Sequence, residues 1–151
     1  MAWNFGDILD TIIPELPPEH PALAHGDRAL SWREVDRRSN NLGRALQAAG
    51  LAPGAKVGFY LRNSPAFMET LAACFRARLV HANVNYRYRE DELHYILDNA
   101  DAEAVFYDAA FRDRVDALRP RLPAVKAWVE VGDGPVPGWA LAYETLAEDG
   151  D

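Results

Sequence analysis

The sequence predicts an α/β fold built on an open, mostly parallel sheet with flanking helices. Three observations carry that expectation. Between Lys56 and Tyr107, three short apolar runs are separated by two helical patterns. A polar helix-start signal follows each run, which is the rhythm of strands joined by crossover helices. The strand candidates recur at similar spacing, with enough chain between them for a helix to bring the next strand back parallel.

The elements divide the chain into residues 1–54 (helix, hairpin and amphipathic helix), 55–131 (βαβ units) and 132–151 (a loop and the start of a further helix). Phe5 to Leu16 is a short helix with Phe5, Ile8, Leu9, Ile12 and Ile13 on one side, ended by Pro14, Pro17 and Pro18. His25-Gly26-Asp27-Arg28 is a turn between two apolar runs and predicts a small hairpin. Ser31 and Glu34 have capping-box spacing. The helix they open puts Trp32, Val35, Leu42, Ala45, Leu46 and Ala49 on one stripe, away from Arg33, Asp36, Arg37, Asn40 and Arg44. Gly50 suits the position just past its end, and Pro53 blocks continuation.

Lys56–Leu61 reads as a strand. Ser64 as N-cap and Pro65 in the first turn then open a helix that is apolar nearly all round: Phe67, Met68, Leu71, Ala72, Cys74 and Phe75. That helix is expected to be deeply buried, with Leu71 and Phe75 almost fully so. Leu79–Val84 is the next strand. Glu90, Asp91 and Glu92 favour a helix N-terminus, and Leu93, Ile96, Leu97 and Ala100 form that helix's core face. Glu103–Tyr107 is a third strand. Asp108 is placed to cap a helix carrying Phe111, Val115 and Leu118, which Pro120 stops. Val125–Val131 is a fourth strand, and Tyr143–Ala147 begins one more helix.

Composition narrows the class. The chain has 151 residues, enough for one domain with a sizeable core, and its 49% hydrophobic content is that of a globular protein. A formal net charge of -7, with Lys and Arg scattered among acids, argues against nucleic acid as a partner. The single Cys74 has no partner for an internal disulfide and reads as a buried structural thiol, which suits the cytoplasm. The N-terminal residues lack the basic and apolar regions of a secretory signal, and no run reaches the roughly 20 apolar residues of a transmembrane span.

Catalytic motifs are absent from the 151 residues. There is neither a P-loop nor a dinucleotide fingerprint, and no window is dense enough in Gly, Ser and Thr to wrap a triphosphate. His20, His25, His81 and His94 are dispersed, and with one Cys a zinc site lacks ligands. The four Trp residues and the Tyr86-Arg87-Tyr88 cluster read as packing rather than base stacking, since no basic groove accompanies them.

What is present, over roughly Phe5 to Leu146, resembles the adenylate-forming (AMP-binding) superfamily, and within it the N-terminal part of the acyl-CoA synthetases. Leu30-Ser31-Trp32-Arg33-Glu34-Val35 resembles that family's first core motif, and Asn63-Ser64-Pro65 with the helix after it resembles its buried helix. Ala73–Asn85 resembles the second core motif but departs from it: Arg78-Leu79 replaces a Gly-Ala pair, and Asn83 stands where Pro is common. Asn83-Val84-Asn85-Tyr86-Arg87-Tyr88 followed by Asp91-Glu92-Leu93 is similar to the fatty-acyl-CoA synthetase branch.

The resemblance implies a full enzyme that joins a hydrophobic carboxylic acid to CoA through an acyl-adenylate, using ATP, Mg2+ and CoA. The family's phosphate loop and catalytic Lys have no match here. The chain therefore carries no catalytic residue, is expected to be inactive by itself and to bind none of these cofactors tightly, and has the remainder of the enzyme as its partner. A homodimer is expected as well, because a sheet cut from a larger domain leaves an open edge and an apolar face. The resemblance implies one contact residue, Arg87, placed near the CoA phosphates, with Arg89 a weaker neighbour. The alternative for Arg87 is an ion pair with Glu90 or Asp91 that helps start the helix. Asp27 and Arg28 read as turn residues. The rival reading of the whole chain is a stand-alone, non-catalytic flavodoxin-like interaction or ligand-binding domain.

Overall fold

The computed structural model describes residues 3–150. Helix α1 (Phe5–Ile12) runs into a 3-10 turn at Ile13–Glu15, where Pro14 ends the α-helical hydrogen bonding. Strands β1 (Pro21–His25) and β2 (Arg28–Ser31) form the hairpin, with Gly26 at φ 58° in its two-residue turn. Helix α2 (Trp32–Ala48) starts at the expected capping box, in which Glu34 N–H donates to Ser31 Oγ and Ser31 N–H to the Glu34 carboxylate.

The main sheet has five parallel strands: β3 (Lys56–Tyr60), β4 (Val80–Asn83), β5 (Ala102–Asp108), β6 (Ala127–Val131) and β7 (Leu141–Ala142). Their order is β4-β3-β5-β6-β7, that of flavodoxin-like doubly wound sheets. Sequence reading gave four of these strands. It missed β7, whose two residues are too few to show a period. The connecting helices are α3 (Pro65–Arg76), α4 (Glu90–Asn99) and α5 (Arg112–Leu118), and α6 (Tyr143–Glu148) follows β7.

Alternation along the strands separates two cores. Val57, Phe59, Ala104, Phe106 and Val129 face α2, α3 and α6, while Tyr60, Val105, Tyr107 and Trp128 face α4 and α5. Gly58 lies on the second face, where a Cβ would meet Leu97 Cδ2 at 2.5 Å, so α4 approaches the sheet through the space a side chain would take.

Helix α3 corrects one expectation. It is not buried all round: Met68 is 48% exposed, and Leu71 and Phe75 are half-buried. Its buried face is Ala66, Glu69, Thr70, Ala73 and Cys74. The small residues let α3 lie close to its neighbours, and the larger apolar side chains turn toward α1 and the hairpin. There, with Phe5, Ile8, Leu9, Leu23 and Trp32, they line an apolar cleft of about 220 Å³.

Glu69 is buried because it is fully engaged. Arg38 Nε donates to Glu69 Oε1 at 2.6 Å, and the Tyr143 hydroxyl donates to Glu69 Oε2 at 2.6 Å. The other side of the Arg38 guanidinium donates to Glu144 at 3.0 Å and to Glu148. Burial alone would lower the pKa of Arg38, but the bonds to Glu69 and Glu144 outweigh it and hold the group above the usual arginine range. This network ties α2, α3 and α6 together, and hydropathy patterning does not reveal it. Cys74 is fully buried, as expected of a structural thiol, and burial pushes its pKa up to about 12.

Arg78, where the sequence departs from the motif it resembles, sits at φ 60°. Left-handed backbone of this kind is where glycine is favoured. Arg78 donates to both carboxylate oxygens of Asp7, at 3.0 and 2.6 Å, and so links the end of α3 to α1.

Candidate functional site

In open α/β sheets, ligands bind at the carboxyl ends of the strands, where the strand order reverses. Here the reversal lies between β3 and β5, since the chain adds β4 on one side of β3 and β5 on the other. Beside it, on the other side of β3, a cavity of about 420 Å³ opens at the ends of β3 and β4, lined by Leu61, Asn63, Phe67, Asn83, Tyr86 and Ile96 among others.

The loop from Asn85 to Arg89 forms the rim of this cavity. Asn85 builds it: its Oδ1 accepts from Arg87 N–H at 3.0 Å, and its carbonyl accepts from Tyr88 N–H at 3.0 Å. Arg87 is exposed, with its guanidinium 5.5 Å from the centre of the Tyr86 ring that lines the cavity. The expected alternative for Arg87 does not occur. Among the described residues it has no ion pair, and Asp91 pairs instead with Arg121 at 3.4 Å. Helix α4 is started by Arg89, whose backbone N–H donates to Glu92 Oε2 at 3.1 Å. Most cationic side chains in this acidic chain have a carboxylate partner; among the described residues Arg44, Lys56, Arg87, Arg89 and Arg114 do not. Arg87, Arg89 and Arg114 belong to the rim or touch it, and a guanidinium there suits an anion.

The structure places the other predicted residues elsewhere. Asp27 stays in the hairpin turn, and Arg28 lies 3.8 Å from Glu144; neither lines the cavity. Asp108 was expected to cap the helix after it, but its side chain makes no cap bond. Instead it accepts from the Arg62 N–H at 2.8 Å and from Arg62 Nε at 3.2 Å. That pair joins the ends of β3 and β5, the strands that flank the reversal, and satisfies a backbone donor the strand end would leave open. Next to it, Glu130 is buried and held below the ordinary carboxylate range by its bond to Arg112, helped by Tyr107 and opposed by burial. Among the described residues no cluster of His, Cys, Asp and Glu side chains is arranged to hold a metal ion. The described groups thus suit an anion and do not supply a metal site.

A family model described as AMP-binding enzyme matches residues 13–149. The chain belongs to the AMP-binding enzyme family. It is 40% identical, over 134 residues, to a 3-oxocholest-4-en-26-oate–CoA ligase of Rhodococcus rhodochrous, a match that covers 89% of this chain and 24% of the relative. It is 36% identical over 129 residues to the medium-chain acyl-CoA ligase Mig of Mycobacterium avium, covering 77% of this chain and 24% of that protein. The chain thus spans about a quarter of the length of these curated relatives. Among solved structures, the anthranilate CoA ligase AuaEII in complex with anthranoyl-AMP superposes with a TM-score of 0.87 at 25% identity, over 96% of this chain and 28% of that one. The family holds even though the strand order is also that of flavodoxin-like domains.

Proposed function

We propose that this chain is part of an ATP-dependent acyl-CoA synthetase that activates a fatty or other hydrophobic carboxylic acid through its acyl-adenylate, and that Arg87 contacts a phosphate of CoA. Family membership and the names of several relatives, ligases of medium- and long-chain fatty acids and of 3-oxocholest-4-en-26-oate, support the reaction and the substrate class. The observation that carries the assignment of Arg87 is its exposed, unpaired guanidinium on a backbone held by Asn85 at the carboxyl end of the sheet. ATP, Mg2+ and CoA serve the whole enzyme. Residues outside these 151 would hold the triphosphate and the metal, because no window here has the glycine and hydroxyl density to do so. The 151 residues alone are then inactive, and pyrophosphate release above background from the purified chain would contradict this.

The acidic charge and the lone buried thiol are in keeping with a cytoplasmic enzyme that does not bind nucleic acid. Among the described residues no helix is long and apolar enough to cross a membrane. The exposed Phe5, Ile8 and Met68 around the apolar cleft favour self-association of the 151-residue chain as a dimer. Sedimentation equilibrium tests this, and a monomer at every concentration refutes it.

The decisive experiment is Arg87→Ala in the full-length enzyme. The KM for CoA should rise by the equivalent of about 1.5–3 kcal/mol, the worth of a charge-assisted contact, while adenylation is unchanged. Equal effects on both half-reactions would return Arg87 to a structural role.

A further inference from the structure

We infer that Tyr60 and Arg114 are positioning residues that clamp the Arg87 loop, holding its guanidinium ready for the phosphate; the inference rests on the assignment of Arg87 made above. The clamp converges on one atom, the carbonyl oxygen of Tyr88, which directly follows Arg87 in the chain. The Tyr60 hydroxyl donates to that oxygen at 2.7 Å, and Arg114 Nη1 donates to it at 2.9 Å. Arg114 Nη1 also donates to the Tyr60 hydroxyl oxygen, so the three groups close a triangle. Two donors occupy both lone pairs of the carbonyl, and Asn85 holds the other end of the turn.

The clamp is built from the rigid part of the fold. Tyr60 is fully buried at the end of the central strand β3, with its ring 4.7 Å from Phe111. Arg114 lies on α5, and its guanidinium sits 5.8 Å from the centre of the same Phe111 ring. Arg62, from the end of β3, lies 5.7 Å from that ring and is paired with Asp108. Strands β3 and β5 and helix α5 therefore meet at the base of an otherwise exposed loop.

The choice of partner for Arg114 is informative. A half-buried guanidinium used only for support would be expected to take a carboxylate, and acids are plentiful in this chain. Among the described residues Arg114 has none, and it spends its donors on a neutral carbonyl and a hydroxyl. Its charge is left uncompensated beside Arg87, where it adds to the field an anion meets. The loop is thus immobilised before the ligand arrives, which lowers the ordering cost of binding.

The test uses Tyr60→Phe, Arg114→Met and Arg87→Ala in the full-length enzyme, with two readouts. Tyr60→Phe keeps the ring and every charge and removes only the hydroxyl, so it separates the clamp from the field of Arg114. Amide hydrogen exchange at Arg87 and Tyr88 should speed up in Tyr60→Phe and in Arg114→Met, while the amides of β5 stay protected. The KM for CoA should rise about three- to tenfold in each, the size of a lost hydrogen bond. Adenylation should not change, and neither substitution should add to the effect of Arg87→Ala. If Arg87→Ala raises the KM and the clamp variants do not, the clamp is overturned and the role of Arg87 stands. If Arg87→Ala is silent, the phosphate assignment falls, and exchange alone then judges the clamp: faster exchange in both variants upholds its hold on the loop, and unchanged exchange overturns it.

Discussion

The buried pair of Arg38 and Glu69 is the most severe single dependency in the fold. Both side chains are nearly inaccessible, at 2% and 1% exposure, and they lie 2.6 Å apart. Glu69→Leu removes the carboxylate and leaves two orphans, part of the Arg38 guanidinium and the Tyr143 hydroxyl. Breaking a buried pair by removing one partner costs about 3–5 kcal/mol. Glu144 and Glu148 continue to hold Arg38 but are themselves about half exposed, so they offset only part of the loss. The unpaired hydroxyl adds about 1–3 kcal/mol. A net loss of about 3–5 kcal/mol is a large share of the 5–15 kcal/mol that holds a typical domain. Urea unfolding of the 151-residue chain, followed by circular dichroism and tryptophan fluorescence, measures it. The triple substitution Glu69→Leu, Arg38→Met and Tyr143→Phe should recover most of the loss, because an apolar set of similar volume leaves no charge stranded. A loss below about 1 kcal/mol for Glu69→Leu would refute the reasoning. A triple variant no better than the single would move the cost from charge to packing.

Two further outcomes follow from backbone strain and from the thiol. At Arg78, φ 60° makes glycine the better residue once the Asp7 pair is gone, so Arg78→Gly should be more stable than Arg78→Ala by about 1 kcal/mol; the reverse order in urea midpoints would show that the strain is relieved elsewhere. The folded Cys74 thiol keeps its proton to about pH 12, against an ordinary value of 9.0, so between those limits the unfolded chain binds fewer protons. Its contribution is complete below pH 9 and falls as pH rises, by about 1.4 kcal/mol per pH unit. The stability difference between wild type and Cys74→Ala should therefore shrink along that arm, and a constant difference would mean that the thiol is reached by solvent.

The parts of this protein legible in the sequence are those decided within a few residues. The capping box at Ser31 and Glu34, Ser64 and Pro65 opening α3, the acids opening α4 and the Gly26 turn all act locally, and each stands where expected. The short apolar runs at Lys56–Leu61 and Glu103–Tyr107 announce buried strands for the same reason. Arg87 was singled out through a motif rather than through its chemistry, since nothing in Tyr86-Arg87-Tyr88 distinguishes an unpaired arginine from one bound to Glu90. Only the tertiary structure decided what depends on distant partners. Arg38 and Glu69 are 31 positions apart, and each would be read as a solvated helix charge until α2 and α3 pack. Apolar residues on α3 do not say which neighbour they face, so the expected burial of Leu71 and Phe75 gave way to an arrangement in which small residues set the close contact. Asp108 could cap a helix or hold Arg62, and the pairing of β3 with β5 chose the second. The Tyr88 carbonyl meets Tyr60 and Arg114 across 28 and 26 positions, and a backbone oxygen carries no mark in the sequence of who will reach it.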